Sequence, residues 1–296
     1  MSNPERIDRD LLRAFPLPRV PEDSGKEDRG RLLVIAGSRE LAGAALLAGT
    51  AALRAGAGKL QIGTAQSIAA ALAVAVPEAR VIGHAETEEG CIAEEGIAPL
   101  VRWAKAAQAV AVGCGMQHGP PLEKLLAGLL GCGADIPLIL DAAVLDCLAP
   151  LEAKVRGWTG GTILLPHGGE MARLLGKERS AIEADPAAAA GEAARRFNAA
   201  TLVKGAPSFV VAPDGRVFTY PGGGVGLATS GSGDVLSGIV GGLCARGAEP
   251  LTALLWGVWI HAEAGRILTE RVGRLGFLAG ELADLVPGLL PDNRPA

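Results

Sequence analysis

"RLLVIAGSRELAGAALLAGTAALRAGAGKLQIGT", residues 31 to 64, holds two short apolar runs separated by a longer stretch rich in alanine, leucine and glycine. The runs "RLLVIAG" (31 to 37) and "KLQIGT" (59 to 64) suit buried strands, and the stretch between them suits a helix. The pattern then repeats. Further strands are predicted at "ARVIGH" (79 to 84), "AVAVGC" (109 to 114), "PLILD" (137 to 141), "TILLP" (162 to 166) and "TLVKG" (201 to 205), most of them followed by a helical stretch. Strand, helix, strand repeated this often predicts an α/β fold with a central, mainly parallel sheet and helices on both faces.

Outward from this unit the pattern changes at both ends. Beyond "TLVKG", the runs "SFVVAP" and "RVFTY" flank the turn pair Asp214-Gly215 and predict a hairpin. Two long helices, 233 to 246 and about 250 to 272, are expected to close the chain. The first 30 residues are polar, carry Pro16, Pro18 and Pro21, and read as an arm leading into a single domain over residues 31–296.

Composition narrows the partners. The 296 residues carry 28 basic and 32 acidic side chains for a net charge of −4, which argues against a nucleic-acid or anionic-membrane partner and for a small molecule. Cys91, Cys114, Cys132, Cys147 and Cys244 form no C-x-x-C pair and read as reduced thiols of a cytoplasmic protein. The N-terminus is charged where a signal peptide needs an apolar core, and no apolar run approaches the ~18 residues of a membrane span.

In a parallel sheet ligands gather at the carboxyl ends of the strands, so the residues after each strand carry the chemistry. Gly43 and Ala44 enter the helix after the first run, where small residues fit either tight packing or a ligand surface. Gly113 and Gly115 leave another strand and fit backbone approach to a ligand or a simple turn. His167, Gly168, Gly169 and Glu170 join a strand to an amphipathic helix. Glu170 suits the helix N-terminus as a cap, and His167 is placed to face a ligand. Lys204 closes an apolar strand and must reach either solvent or an anion.

The remaining stretch is "GLATSGSGDVLSGIVGGL", Gly226 to Leu243. Gly231 and Gly233 flank Ser232 at a helix start, where free N–H groups and the helix dipole favour phosphate. Asp234 follows at once. As a cap it would not need the two glycines; beside bound phosphate it makes sense as a base for an attacking hydroxyl. His261, on an apolar helix, reads as a packing residue.

Taken in order, "GKEDRGRLLVIAGS", "GAALLAGTAALRAGAG", "VAVGCGM", "PLILDAAVL", "LLPHGGEMARLLG", "TLVKGAPSFVV" and the "GSGD" stretch resemble the ADP/ATP-dependent NAD(P)H-hydrate dehydratases, the YjeF C-terminal domain family of the ribokinase-like superfamily. The resemblance implies a ribokinase-like fold and repair of NADH or NADPH hydrated at C6 of the nicotinamide, with ADP giving AMP and phosphate. It implies Asp234 as the general base, and Gly231, Ser232 and Gly233 as the anion hole. Ala44, Gly115, His167 and Asp234 would contact the hydrated dinucleotide. Lys204, Gly205, Ala206, Pro207, Ser208 and Gly233 would hold ADP or ATP. Glu170 would reach Mg²⁺ through water.

The resemblance further implies a homotetramer, action on the S epimer alone, and a separate epimerase. Two departures stand out: the family's D-A-D is Asp141-Ala142-Ala143 here, and its G-T-G-D is G-S-G-D. The alternatives are a kinase of a vitamin-precursor alcohol of the hydroxymethylpyrimidine or thiazole type, and a nucleotide-binding protein without turnover.

Overall fold

The absence of polar residues from "LLVI" is explained by what covers it. Leu32 and Val34 belong to one apolar cluster and Leu33 and Ile35 to another, and all four are fully buried. Side chains of a strand alternate between faces, so a strand buried on both must be apolar throughout. A computed structural model describes residues 3–291. Its strands are β1 (Glu5–Arg6), β2 (Arg31–Ile35), β3 (Lys59–Ala65), β4 (Ala79–His84), β5 (Ala109–Val112), β6 (Leu138–Leu140), β7 (Thr162–Leu164), β8 (Ala199–Val203), β9 (Ser208–Val211) and β10 (Val217–Tyr220).

They form one sheet in the order β1, β10, β9, β8, β7, β6, β5, β2, β3, β4. Strands β2 to β8 run parallel, while β9 is antiparallel to both β8 and β10. One face is covered by the helices Ala42–Arg54, Ser232–Ala245, Pro250–Arg271 and Ala279–Leu289. The other is covered by Ile97–Lys105, Pro120–Leu130, Gly168–Leu175 and Pro186–Phe197. This is the mainly parallel α/β sheet expected from the strand-helix repeat.

Three features differ from the sequence reading. The N-terminal segment is built into the sheet: Glu5 and Arg6 pair with Phe218 and Thr219, Ile7, Leu12 and Leu17 are buried, and Trp256 Nε1 donates to the Phe15 carbonyl at 2.7 Å. A third helix, Ala279–Leu289, follows the two expected ones. Pro287 argues against a helix in the sequence, yet it lies near the end, and Leu282, Ala283 and Val286 are buried against the core.

The third concerns Ser232–Ala245, in whose sequence Val235, Leu236, Ile239, Val240 and Leu243 fall on one helical face. In the structure every residue from Val235 to Ala245 is buried. The helix is enclosed by its neighbours, and its glycines make that possible: a Cβ on Gly238 would stand 2.1 Å from the Ala48 carbonyl oxygen. Among the described residues no helix is long and apolar enough to cross a membrane.

Candidate active site

The carboxyl ends of the parallel strands bring most of the predicted site residues to one edge. At its centre Gly231 caps the helix Ser232–Ala245 with φ of 87°, a conformation glycine adopts without steric cost. A Cβ there would also meet Leu47 at 2.4 Å, so the turn is pressed against the helix Ala42–Arg54. On its other side a Cβ on Gly233 would lie 3.3 Å from Lys204 Nζ and 4.0 Å from Asp141 Oδ2. The helix N-terminus therefore faces a lysine ammonium, and both favour an anion between them.

Lys204 does not snorkel to solvent. Its Nζ donates to Asp141 Oδ1 at 2.8 Å, and Asp141 is only 2% exposed. Asp141 Oδ1 also accepts from the Ala142 N–H at 2.8 Å, with Ala142 held at φ 54°, an uncommon conformation for alanine. Burial lifts the Asp141 carboxyl to about 6 against the pull of Lys204. Burial pulls the Lys204 ammonium down, but Asp141 and Glu170 more than offset it and leave it above the ordinary lysine value. At neutral pH both are charged.

Asp234 is half-buried at the same helix start. Burial raises its carboxyl above the usual range, while a hydrogen bond from the Cys114 thiol and the nearby Lys204 charge pull the other way. Cys114 is itself 2% exposed. A carboxylate raised above its usual range is a stronger proton acceptor than an ordinary aspartate.

His167 and Glu170 are engaged with each other as helix caps. His167 Nδ1 accepts from the Gly169 N–H at 2.9 Å and the Glu170 N–H at 3.3 Å, while Glu170 Oε2 accepts from the His167 N–H at 2.8 Å. The capping reading of Glu170 thus describes its contacts. His167 has a second face: it pairs with Lys204 in a parallel bridge and lines a cleft of about 550 Å³ with Arg179, Lys204, Gly205, Ala206 and Pro207. The turn after Lys204 is closed by Ser208, whose hydroxyl donates to the Gly205 carbonyl at 2.8 Å.

Ala44 and Gly115 meet on the opposite flank. A Cβ on Gly115 would stand 2.5 Å from that of Ala44, so these two residues form one wall. The small residues of Ala42–Arg54 thereby divide between tasks: Ala48 packs against Gly238, and Ala44 faces the site loops. Ala143, at the position of the family's second aspartate, is buried in the apolar cluster beneath.

Sequence reasoning missed two contributors. Asp141 ends a predicted strand, a position that could have marked it as the partner of Lys204. His261, read as a packing residue, places Nε2 at 2.9 Å from Ser232 Oγ and 3.0 Å from the Ser232 carbonyl. No signal in the sequence joins residues 29 positions apart on different helices.

A possible cation can be tested against these groups. Among the described residues no cluster of three or more metal-ligating side chains exists. Asp141 Oδ1 and Glu170 Oε2 are taken by hydrogen bonds, which leaves Asp141 Oδ2 and Glu170 Oε1, the latter 3.5 Å from His167 Nε2. Two carboxylate oxygens fit Mg²⁺ when phosphate and water complete its shell.

A glycine-lined helix start, a lysine held by a buried aspartate and a carboxylate beside them stand at the strand ends of a sheet that is ribokinase-like in fold. A ribokinase-like superfamily protein of Enterococcus faecalis shares the fold with a TM-score of 0.82 at 22% identity, covering 99% of this chain and 97% of its own. Within that class the chain belongs to the NAD(P)H-hydrate dehydratase family, whose pattern it matches over residues 32–288. It is 45% identical over 281 residues to the ADP-dependent (S)-NAD(P)H-hydrate dehydratase of Xanthomonas campestris pv. campestris, covering 94% of this chain and 93% of the relative. It is also similar to the ADP/ATP-dependent NAD(P)H-hydrate dehydratase of Bacillus subtilis, crystallised with ATP and Mg²⁺, with a TM-score of 0.82, 29% identity and 98% of each chain covered.

Proposed function

We propose that this protein dehydrates the S epimer of hydrated NADH or NADPH, converting ADP to AMP and phosphate and restoring the reduced dinucleotide. The observation that carries the reading is the convergence of Asp234, the Gly231–Gly233 turn and the Asp141-anchored Lys204 at one helix N-terminus. Resemblance to the family supports the hydroxyl on C6 of the nicotinamide as the phosphoryl acceptor.

In this mechanism the dinucleotide lies along the Ala44–Gly115 wall and reaches His167, and the nucleotide lies along the turn from Lys204 to Ser208. Asp234 takes the proton of the C6 hydroxyl, whose oxygen attacks the terminal phosphoryl group of ADP and releases AMP. The Gly233 N–H at the helix start, with Lys204, takes up the negative charge on the phosphoryl oxygens. The C6–O bond then breaks as the ring nitrogen lone pair expels phosphate, and loss of a C5 proton restores the double bond. Mg²⁺, when bound, would be held through water by Asp141 and Glu170 and would screen the charge of the phosphates.

The remaining expectations belong to the same reading: a cytoplasmic homotetramer that relies on a separate epimerase. The test supplies purified protein with hydrated NADH or NADPH, Mg²⁺ and either ADP or ATP, and follows the return of reduced nicotinamide absorbance. Recovery with ADP is expected. No recovery with either nucleotide would overturn the reading, and phosphorylation of a vitamin-precursor alcohol would put the kinase in its place.

A further inference from the structure

Ser232 lies between the two glycines, is 5% exposed, and has its hydroxyl oxygen 2.9 Å from His261 Nε2. The same nitrogen is 3.0 Å from the Ser232 carbonyl. These two distances decide the tautomer. If Nε2 carried a lone pair, the Ser232 O–H would be spent on it, and that lone pair would also face a carbonyl oxygen at 3.0 Å. If Nε2 carries the proton, it donates to the carbonyl and lies against the hydroxyl oxygen, so both contacts are favourable. The Ser232 O–H is then free to point elsewhere.

We infer that His261 is a positioning residue for the phosphoryl-binding turn: its Nε2–H fixes the Ser232 backbone and hydroxyl oxygen, and so aims the Ser232 O–H at the transferred phosphoryl group. The inference rests on the phosphoryl-transfer reading above. It gives the turn a hydroxyl donor beside the Gly233 N–H, while the Ser232 N–H is held by the Thr229 carbonyl at 3.2 Å, and it explains why a hydroxyl residue stands between the glycines. Burial pushes the imidazole down to about 4, so the ring remains neutral and able to hold one tautomer at neutral pH. The arrangement also ties the turn to the helix Pro250–Arg271, from which His261 projects.

Kinetics of a mutant cycle test it. His261→Leu is expected to lower kcat by roughly ten- to a hundredfold with KM for ADP little changed, because orientation is lost while the nucleotide cleft is untouched. His261→Gln, whose amide N–H reaches the same place, should recover most of that loss. In a Ser232→Ala background, where only the carbonyl contact remains, His261→Leu should cost clearly less than in the parent. An unchanged kcat in His261→Leu, or losses that multiply independently, would overturn the proposal.

Should His261→Leu fail to fold, the cycle is run with His261→Phe in its place, and ¹⁵N imidazole spectra of the parent protein give an independent answer. A neutral Nε2-protonated His261 is expected, and a neutral Nδ1-protonated ring refutes the assignment. That spectrum needs no turnover, so it separates failure of this inference from failure of the dehydratase reading, which the parent's own activity decides.

Discussion

Asp234 is separated from Ser232 by one glycine, so the proposed base and the phosphoryl-binding turn are fixed by the same half-turn of helix. Asp234→Asn keeps the shape and removes the proton acceptor. Turnover should fall by about 10²- to 10⁴-fold while calorimetry still shows ADP binding, and near-normal turnover would remove Asp234 from its role. Asp141 offers a different test. Its carboxyl moves from 3.8 to about 6 on folding, so the folded state holds the proton more tightly than the unfolded chain. That contribution to stability is complete below 3.8 and is lost as pH rises through about 6. Urea midpoints of the parent should therefore carry a downward component across this window that Asp141→Asn lacks; parallel profiles for the two proteins would contradict it. At this scale the sequence located Asp234, Lys204 and His167 at the strand-end edge where the structure has them, because each follows a recognisable strand or glycine turn. It could not reveal the Asp141–Lys204 pair or the His261–Ser232 contact, which exist only once distant segments meet.

Among the elements, the helix Ser232–Ala245 shows how packing set the glycine content. Gly238 lets its backbone touch that of Ala42–Arg54, and a Cβ on Gly242 would stand 2.6 Å from the Ala52 carbonyl oxygen. Gly238→Ala should destabilise the protein by about 1–3 kcal/mol, read as a lower urea midpoint with unchanged slope. An unchanged or higher midpoint would mean that the two helices do not lie so close. The strands were legible because burial on both faces demands apolar runs, and "ARVIGH" coincides with β4 to the residue. Ends were harder to read. "TLVKG" pairs from Ala199 to Val203, which leaves Lys204 past the strand where its side chain can turn to Asp141.

For the whole molecule, the N-terminal segment matters more than its composition suggested. Polar residues and prolines outnumber the few apolar side chains there, yet Ile7, Leu12 and Leu17 enter the core, and the Phe15 ring meets Phe218 edge-on at 5.7 Å. Burial of each such aliphatic side chain stabilises by about 1.5–3 kcal/mol. A chain lacking residues 1–17 should melt several degrees lower in a thermal scan, and an equal melting temperature would show the segment to be dispensable.

Enclosure of the helix from Val235 to Ala245 bears finally on heat inactivation. The first turn is anchored by that buried length, so under the proposed function its donors need no rearrangement when a nucleotide arrives. Many enzymes lose activity on warming before they unfold, because their reactive groups ride on peripheral loops. Here the dehydration rate should keep climbing until the fold itself gives way, and the two losses should coincide in one temperature ramp.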